Sequence, residues 1–406
     1  MNNRLVERFI KYCKIDTQSD GFSTTSPSTM KQFDLANVLK DELVAMGVDN
    51  AFVDEYCYVY AKIEANCDDK YDKIVFIAHM DTADFNAKGC KPRIIEKYDG
   101  KDIKLNDEFV LSPVKFPILN EHKGKTLIVT DGTTLLGADD KAGVAAIMES
   151  VQYLMEHPEV KHGTFYVVFT PDEEVGRGTE HFDLDRIDCD YGFTIDGGCV
   201  SGVCDETFNA ASATVKVKGV SVHPGEAKDK MVNANNLAIE FHNLLDSYKR
   251  PEHTDGYDGF YHLLSIKGEI EDVELRYIIR EHDFAKLEAM VKDMLANAEY
   301  LNRKYHNDFI NVDIKYSYRN MHDILKDYPH IMELVNKTLM QIGLTPYKVA
   351  ARGGTDGANL TFRGLPCPNL GAGGYNYHGR YEYLVVEELE KAHEMILKLL
   401  ENVKRV

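Results

Sequence analysis

Two histidines and several carboxylates stand where short apolar runs end. Ile74 to Ala78 leads into His79-Met80-Asp81, Tyr166 to Thr170 into Pro171-Asp172-Glu173-Glu174, and Phe193 to Ile195 into Asp196-Gly197-Gly198. Pro368-Asn369-Leu370 leads through glycines to Tyr377-His378-Gly379, and Gly137-Ala138-Asp139-Asp140-Lys141 opens a helical stretch with two acids. Imidazole and carboxylate without thiolate form a ligand set suited to catalytic zinc, and equally to manganese or cobalt. His79, Asp139, Glu174, Asp196 and His378 make five candidate ligands. If one carboxylate is shared, each of two ions receives three protein ligands and keeps room for water and substrate. Taken singly, each residue has an ordinary reading: an Asp opening a helix is often a cap, and most of the 15 histidines must be surface or core residues. It is their joint placement that points to chemistry.

The surrounding elements explain how such residues would converge. Lys73 to Ala78 is almost wholly apolar, as in a strand buried on both faces, and Cys57 to Ile63, Gly163 to Thr170 and Tyr191 to Ile195 read as further strands. Leu5, Phe9 and Tyr12, then Phe33, Leu35, Leu39, Leu43 and Met46, recur at helical spacing, and Lys141 to Glu156 reads as a third helix. This alternation predicts an α/β domain with a helix-flanked sheet, whose ligands gather at the carboxyl ends of the strands. From about Phe208 the pattern changes. A strand over Ala213 to Lys218, a helix over Asn233 to Leu245, strands near His262 to Lys267 and Glu274 to Ile279, a helix over Phe284 to Arg303 and a strand over Phe309 to Tyr316 follow in turn. The order β-α-β-β-α-β predicts a ferredoxin-like α+β domain inserted into the first. The expected division is therefore 1–207 with 326–406, and 208–325; 406 residues also exceed the ~250–300 that one core usually serves.

Composition narrows the function. The sum of 47 Lys+Arg against 66 Asp+Glu gives a net charge of -19, which repels phosphate backbones, so nucleic acid is not an expected partner. No apolar run approaches the ~18–20 residues of a membrane span, and the charged Met1 to Arg8 segment lacks the apolar region of a signal peptide. Eight cysteines without a C-x-x-C pair read as free thiols of a cytoplasmic protein. The chain holds no G-x-S-x-G elbow, H-E-x-x-H helix or G-x-x-x-x-G-K-[ST] loop.

Seven segments in order carry a family resemblance: His79-Met80-Asp81-Thr82, Leu135 to Gly143, Phe169 to Gly176, Asp196-Gly197-Gly198, Val222-His223-Pro224-Gly225, Arg352-Gly353-Gly354-Thr355-Asp356-Gly357 and Gly373 to Gly379. Over nearly its whole length the chain resembles the M20 family of metallopeptidases, and within it the cytosolic aminotripeptidases. The resemblance implies a zinc-peptidase-like mixed sheet with an inserted lid or dimerisation domain, two Zn2+ per subunit with Co2+ or Mn2+ as substitutes, and release of the N-terminal residue from short peptides. It implies that Asp139 bridges, that His79 and Asp196 complete one site, that Glu174 and His378 complete the other, and that the Asp139–Asp140 peptide is cis. Glu173, beside a ligand but not needed as one, is the expected general base, and Asp81 the expected acceptor for the other imidazole N–H of His79. His223 is expected to reach the active site of a neighbouring subunit in a homodimer and to hold the oxyanion. Arg280 and Arg352 are candidates to clamp the peptide's terminal carboxylate.

Two other readings compete. Relatives of the same chemistry include dipeptidases, carboxypeptidases and N-acyl-amino-acid deacylases, which motifs at the metals do not separate. A non-catalytic metal-binding scaffold is the third, and the retention of both Asp81 and Glu173 argues against it.

Overall fold

The computed structural model describes residues 2–404. Its largest sheet has eight strands in the order Phe52–Val53, Val59–Ile63, Phe165–Thr170, Ile74–His79, Tyr191–Gly197, Asn369–Gly371, Gly202–Thr207 and Tyr347–Ala351. Ile74–His79 runs parallel to both neighbours, and Asn369–Gly371 runs parallel to Tyr191–Gly197, while Val59–Ile63 and Gly202–Thr207 pair antiparallel. The helix-flanked mixed sheet expected from the sequence is therefore present. The register His79 opposite Thr170 brings the turn after Thr170 beside the turn after His79.

Every residue of Ile74–His79 and of Phe165–Thr170 is buried, which accounts for their largely apolar character. Phe76 stacks on Phe193 with ring centroids 6.0 Å apart and meets Phe165 edge-on at 6.3 Å. Such rings contribute about 1.5–3 kcal/mol each on burial. The helix Ala138–Glu156 lies against this layer, buried over nearly its whole length. Its approach depends on Gly143, where a Cβ would sit 1.9 Å from the carbonyl oxygen of Ile195.

A second, small sheet, in the order Gly374–Tyr375, Tyr383–Val385, Leu127–Val129 and Arg93–Ile95, has no counterpart in the sequence reading. Its strands are two or three residues long, too short for a period to show. Tyr98, Leu111, Leu119, Leu127, Val129, Tyr383 and Val385 form its own core. The loop that carries His378 joins two of its strands.

The chain divides into two compact units, one of Met1–Asp205, Ile324–Val349 and Thr355–Val406, the other of Glu206–Asp323 and Ala350–Gly354. The second is built on an antiparallel sheet in the order Phe260–Gly268, Asp272–Glu281, Asn209–Lys218 and Ile310–Tyr316. Helices Ala234–Leu244 and Phe284–Lys304 pack on it, completing the ferredoxin-like order. Ala213, Val215 and Val217 face that core while Lys216 and Lys218 face solvent. Asn233 and Asp283 cap the two helices, accepting from the backbone N–H groups of Asn235 and Lys286. Among the described residues no helix is long and apolar enough to cross a membrane, and the eight cysteines are free thiols.

Candidate metal centre

Asp139 is the junction of the site. It lies at the start of the helix Ala138–Glu156 with φ -84° and ψ 105°, outside helical values, and the Asp139–Asp140 peptide is cis. Its Oδ1 is 2.8 Å from Nε2 of His79, and its Oδ2 is 3.1 Å from Nε2 of His378. Oδ1 of Asp196 lies 3.6 Å from the same nitrogen of His79, and Oε2 of Glu174 lies 3.0 Å from that of His378. Two groups result, His79–Asp139–Asp196 and Asp139–Glu174–His378, each with ligand atoms within 4.8 Å of one another. The five side chains singled out for metal binding from the sequence are thus brought together, with Asp139 common to both groups.

The adjacent acid has a different task. Asp140 turns inward, accepting from the backbone N–H groups of His79 at 3.3 Å and Gly143 at 3.2 Å. The helix-opening role that a lone Asp would have falls to this residue, and Asp139 is left to the cluster.

Electrostatically the cluster is a set of opposed charges out of water. Burial pushes the Asp139 carboxyl up, but its bonds to His378 and His79 outweigh this and hold it below the usual carboxylate range. His378 is pushed up to about 11 by Asp139 and Glu174. Burial lowers His79, yet Asp196 and Asp139 more than compensate and hold it well above its ordinary value. Burial raises Glu174 to about 7, with Asp139 adding and His378 opposing, and raises Asp196 to about 6 against the pull of His79.

The residues fit a pair of divalent cations. Oε1 of Glu174 is buried and has no hydrogen-bond partner, a costly state for a carboxylate oxygen unless a cation takes it. The donors are two imidazole nitrogens and three carboxylates, the mixed set that zinc, manganese and cobalt accept.

Asp81, fully buried, was expected to accept the second imidazole N–H of His79. The nearer acceptor is its own carbonyl oxygen, 3.0 Å from Nδ1, with the carboxylate Oδ1 at 3.4 Å. The carboxylate instead receives the backbone N–H groups of Glu173 at 3.0 Å and Glu174 at 3.2 Å. One residue therefore orients both the ring of His79 and the turn that presents the two glutamates. Burial holds the Glu173 carboxyl well above its ordinary value; His79 opposes the shift, and Asp196, Asp356 and Glu174 reinforce it.

Three supports were given no role by the sequence, although Asp172 and Asp356 lie within the segments that carry the family resemblance. Glu382, 1% exposed, accepts the backbone N–H groups of Leu136, Gly137 and Asp139. Asp172, in the left-handed region at φ 58°, is fully buried and is bonded by the backbone of Ser28 and the side chain of Gln32, both at 2.7 Å. Asp356 accepts from the hydroxyl of Thr170 at 2.7 Å, and burial pushes its carboxyl up to about 7. Only a residue more than a hundred positions away shows what each acid is for, so no window of sequence reveals it.

The other expected residues lie in the second unit. His223 is exposed at the start of a short turn, its Nδ1 accepting from the backbone N–H of Gly225 at 3.2 Å. Nη1 of Arg280 donates to the carbonyls of Ala211 at 3.1 Å and Ile279 at 2.9 Å, and its guanidinium lies over the Tyr318 ring. Arg352 is more committed: Nη1 donates to the carbonyls of Gly256 and Asp258, Nη2 to the Thr254 hydroxyl, and the group stacks over Phe208 and Phe260.

Comparison with known proteins bears on this arrangement. Residues 129–402 match the model of peptidase family M20/M25/M40. The proteins named Peptidase T of Geobacillus thermodenitrificans and Alkaliphilus oremlandii are each 48% identical over 403 residues, covering 98% of both chains. The crystal structure of aminopeptidase PepT from Bacillus cereus superimposes with a TM-score of 0.78 at 25% identity, covering 99% of this chain and 98% of that one. A tripeptidase structure from Staphylococcus aureus shares the fold, with a TM-score of 0.79 at 23% identity over 99% of this chain and 98% of its own.

Proposed function

The chain belongs to peptidase family M20/M25/M40, and on that premise we propose that it is a cytoplasmic metallo-aminopeptidase that releases the N-terminal residue of tripeptides. The observation that carries the reading is the shared carboxylate: Asp139 offers one oxygen to each imidazole, with Asp196 and Glu174 closing two three-residue groups. Zn2+ is the proposed ion, with Co2+ or Mn2+ able to replace it. His79, Asp139 and Asp196 would hold one ion and Asp139, Glu174 and His378 the other. When bound, such a pair supplies Lewis acidity to the scissile carbonyl and acidifies the attacking water.

The chain's own groups do the rest. Glu173 takes the proton from the attacking water and returns it to the leaving amine; a carboxyl raised by burial holds that proton more firmly than an exposed one would. Asp81 keeps His79 and the Glu173-Glu174 turn in register through the bonds described above. His223, exposed on the second unit, is proposed to donate to the oxyanion in a neighbouring subunit of a homodimer, which sedimentation at varied concentration would test. Arg280 and Arg352 are proposed to clamp the peptide's terminal carboxylate. Arg280 is the stronger candidate, because its hydrogen bonds among the described residues use Nη1 alone and leave the Nε and Nη2 edge for a bidentate contact.

The test is hydrolysis of a panel of di-, tri- and tetrapeptides with free and blocked ends, with and without chelator. Free N-terminal residue from tripeptides, abolished by chelator and restored by Zn2+, is the expected result. Release of the C-terminal residue instead, or cleavage of N-acylated substrates alone, would point to one of the other M20 activities. Undiminished cleavage under chelation would refute the metal reading.

A further inference from the structure

His378 and Asp139 come from segments 239 positions apart, yet Nε2 of one lies 3.1 Å from Oδ2 of the other. Glu382 ties the two segments together. Its backbone N–H closes the turn after His378 by donating to the carbonyl of Gly379 at 3.2 Å. Its carboxylate reaches the loop that presents Asp139. Oε2 receives the backbone N–H groups of Leu136 and Gly137, each at 2.7 Å, and Oε1 receives that of Asp139 itself at 3.0 Å. Every side-chain hydrogen bond that Glu382 makes among the described residues goes to this loop.

The loop needs such a hold. Gly137 is in the left-handed region at φ 77°, and Asp139 and Asp140 depart from helical dihedrals, so the helix Ala138–Glu156 does not fix the orientation of Asp139 by its own hydrogen-bond ladder. Three donors converge on two oxygens from one side, an arrangement that a carboxylate satisfies and a carboxamide does not. With its oxygen facing Leu136 and Gly137, a glutamine would turn its NH2 toward the N–H of Asp139, donor against donor.

We propose that Glu382 is a positioning residue for metal binding: it locks the Asp139 loop to the His378 turn and so sets the spacing of the pocket that these two share with Glu174. The proposal rests on the metal reading given above, and the experiment separates the two. Zn2+ binding is measured by competition with a chromogenic chelator for the parent and for Glu382→Gln, together with far-UV circular dichroism and the melting temperature of both metal-free proteins. The expected result is a 10–100-fold weaker Zn2+ affinity in Glu382→Gln, the usual effect of removing a group that orients a ligand. The metal-free proteins should share a fold, and the variant's turnover should recover toward the parent's as Zn2+ is raised, with KM for the peptide unchanged.

Where Glu382→Gln does not fold, Glu382→Asp is measured in its place, because it keeps both oxygens but withdraws them by one methylene; the same loss of affinity is expected. Zn2+ affinity within twofold of the parent in the folded variant would overturn the role of Glu382 while leaving the metal reading intact. A parent that binds no divalent cation would overturn both. A variant whose lost turnover did not return at saturating Zn2+ would show that Glu382 acts on something other than metal affinity, and would likewise refute the proposal.

Discussion

Replacing Glu173 with glutamine removes a proton acceptor and almost nothing else. The turn that carries it is held through main-chain N–H groups, those of Glu173 and Glu174 on the Asp81 carboxylate, and a side-chain amide leaves these untouched. Glu173 belongs to neither three-residue group, so both pockets keep their ligands. A positioned general base contributes about 10²–10⁴ in rate, or about 2.7–5.4 kcal/mol of activation free energy. Turnover of Glu173→Gln on a tripeptide, read as released amino acid, should fall by that factor with metal content unchanged by mass spectrometry. Stability should move the other way. The folded carboxyl is held well above its ordinary value of 4.5, so the folded metal-free protein binds the proton more tightly than the unfolded chain does. That contribution is present at low pH and is lost as pH rises through the folded pKa. Glutamine does not titrate, so the variant's melting temperature should exceed the parent's increasingly as pH rises from 5 to 8. Turnover within tenfold of the parent with both ions bound would refute the assignment of the base; loss of the ions would refute the claim that Glu173 stands outside the coordination sphere.

Asp81→Asn should weaken metal binding about 10–100-fold, because one of the two N–H groups on its carboxylate would then face an NH2; chelator competition measures this, and unchanged affinity would contradict the orienting role. Metal loading at pH 7 should release at least one proton per subunit, since His378 is pushed up to about 11 and Glu174 to about 7 in the metal-free site and both must bind unprotonated. Calorimetry in buffers of different ionisation enthalpy reads that number, and apparent affinity should rise from pH 6 to 8; no release would mean that the imidazole is already neutral. Gly143→Ala should destabilise the protein by about 1–3 kcal/mol through the clash of its Cβ with the Ile195 carbonyl and the Asp140 carboxylate, read from the denaturant midpoint. A variant as stable as the parent would show that the helix has room to retreat.

Much of the fold was legible because its signals are local. Ile74–His79 and Phe165–Thr170 announce themselves by their largely apolar character, and the alternation of Ala213, Val215 and Val217 with Lys216 and Lys218 is the period of a half-exposed strand. The strand ends in turn marked His79, Glu174 and Asp196 as neighbours in space. The sheet formed by Arg93–Ile95, Leu127–Val129, Gly374–Tyr375 and Tyr383–Val385 was not legible, since strands of two or three residues owe their existence to partners far along the chain. Glu382 was missed for the same reason: within Arg380-Tyr381-Glu382-Tyr383 it looks like a solvated acid, and only the position of Leu136 to Asp139 shows what it holds. Asp81 was singled out for its spacing from His79, but its two bonds to the glutamate turn depend on the pairing of His79 with Thr170, which spacing along the chain does not encode.

The two oxygens of Asp139 point to different imidazoles, so a single side-chain rotamer serves two pockets at once. Under the proposed function, an ion entering either pocket would freeze that rotamer and lower the entropic cost for the next. Filling should therefore be cooperative: at limiting cation the population would divide into empty and doubly loaded molecules, with singly loaded ones scarce. A cell short of the ion would then lose a share of its enzyme molecules outright, while the remainder worked at full speed.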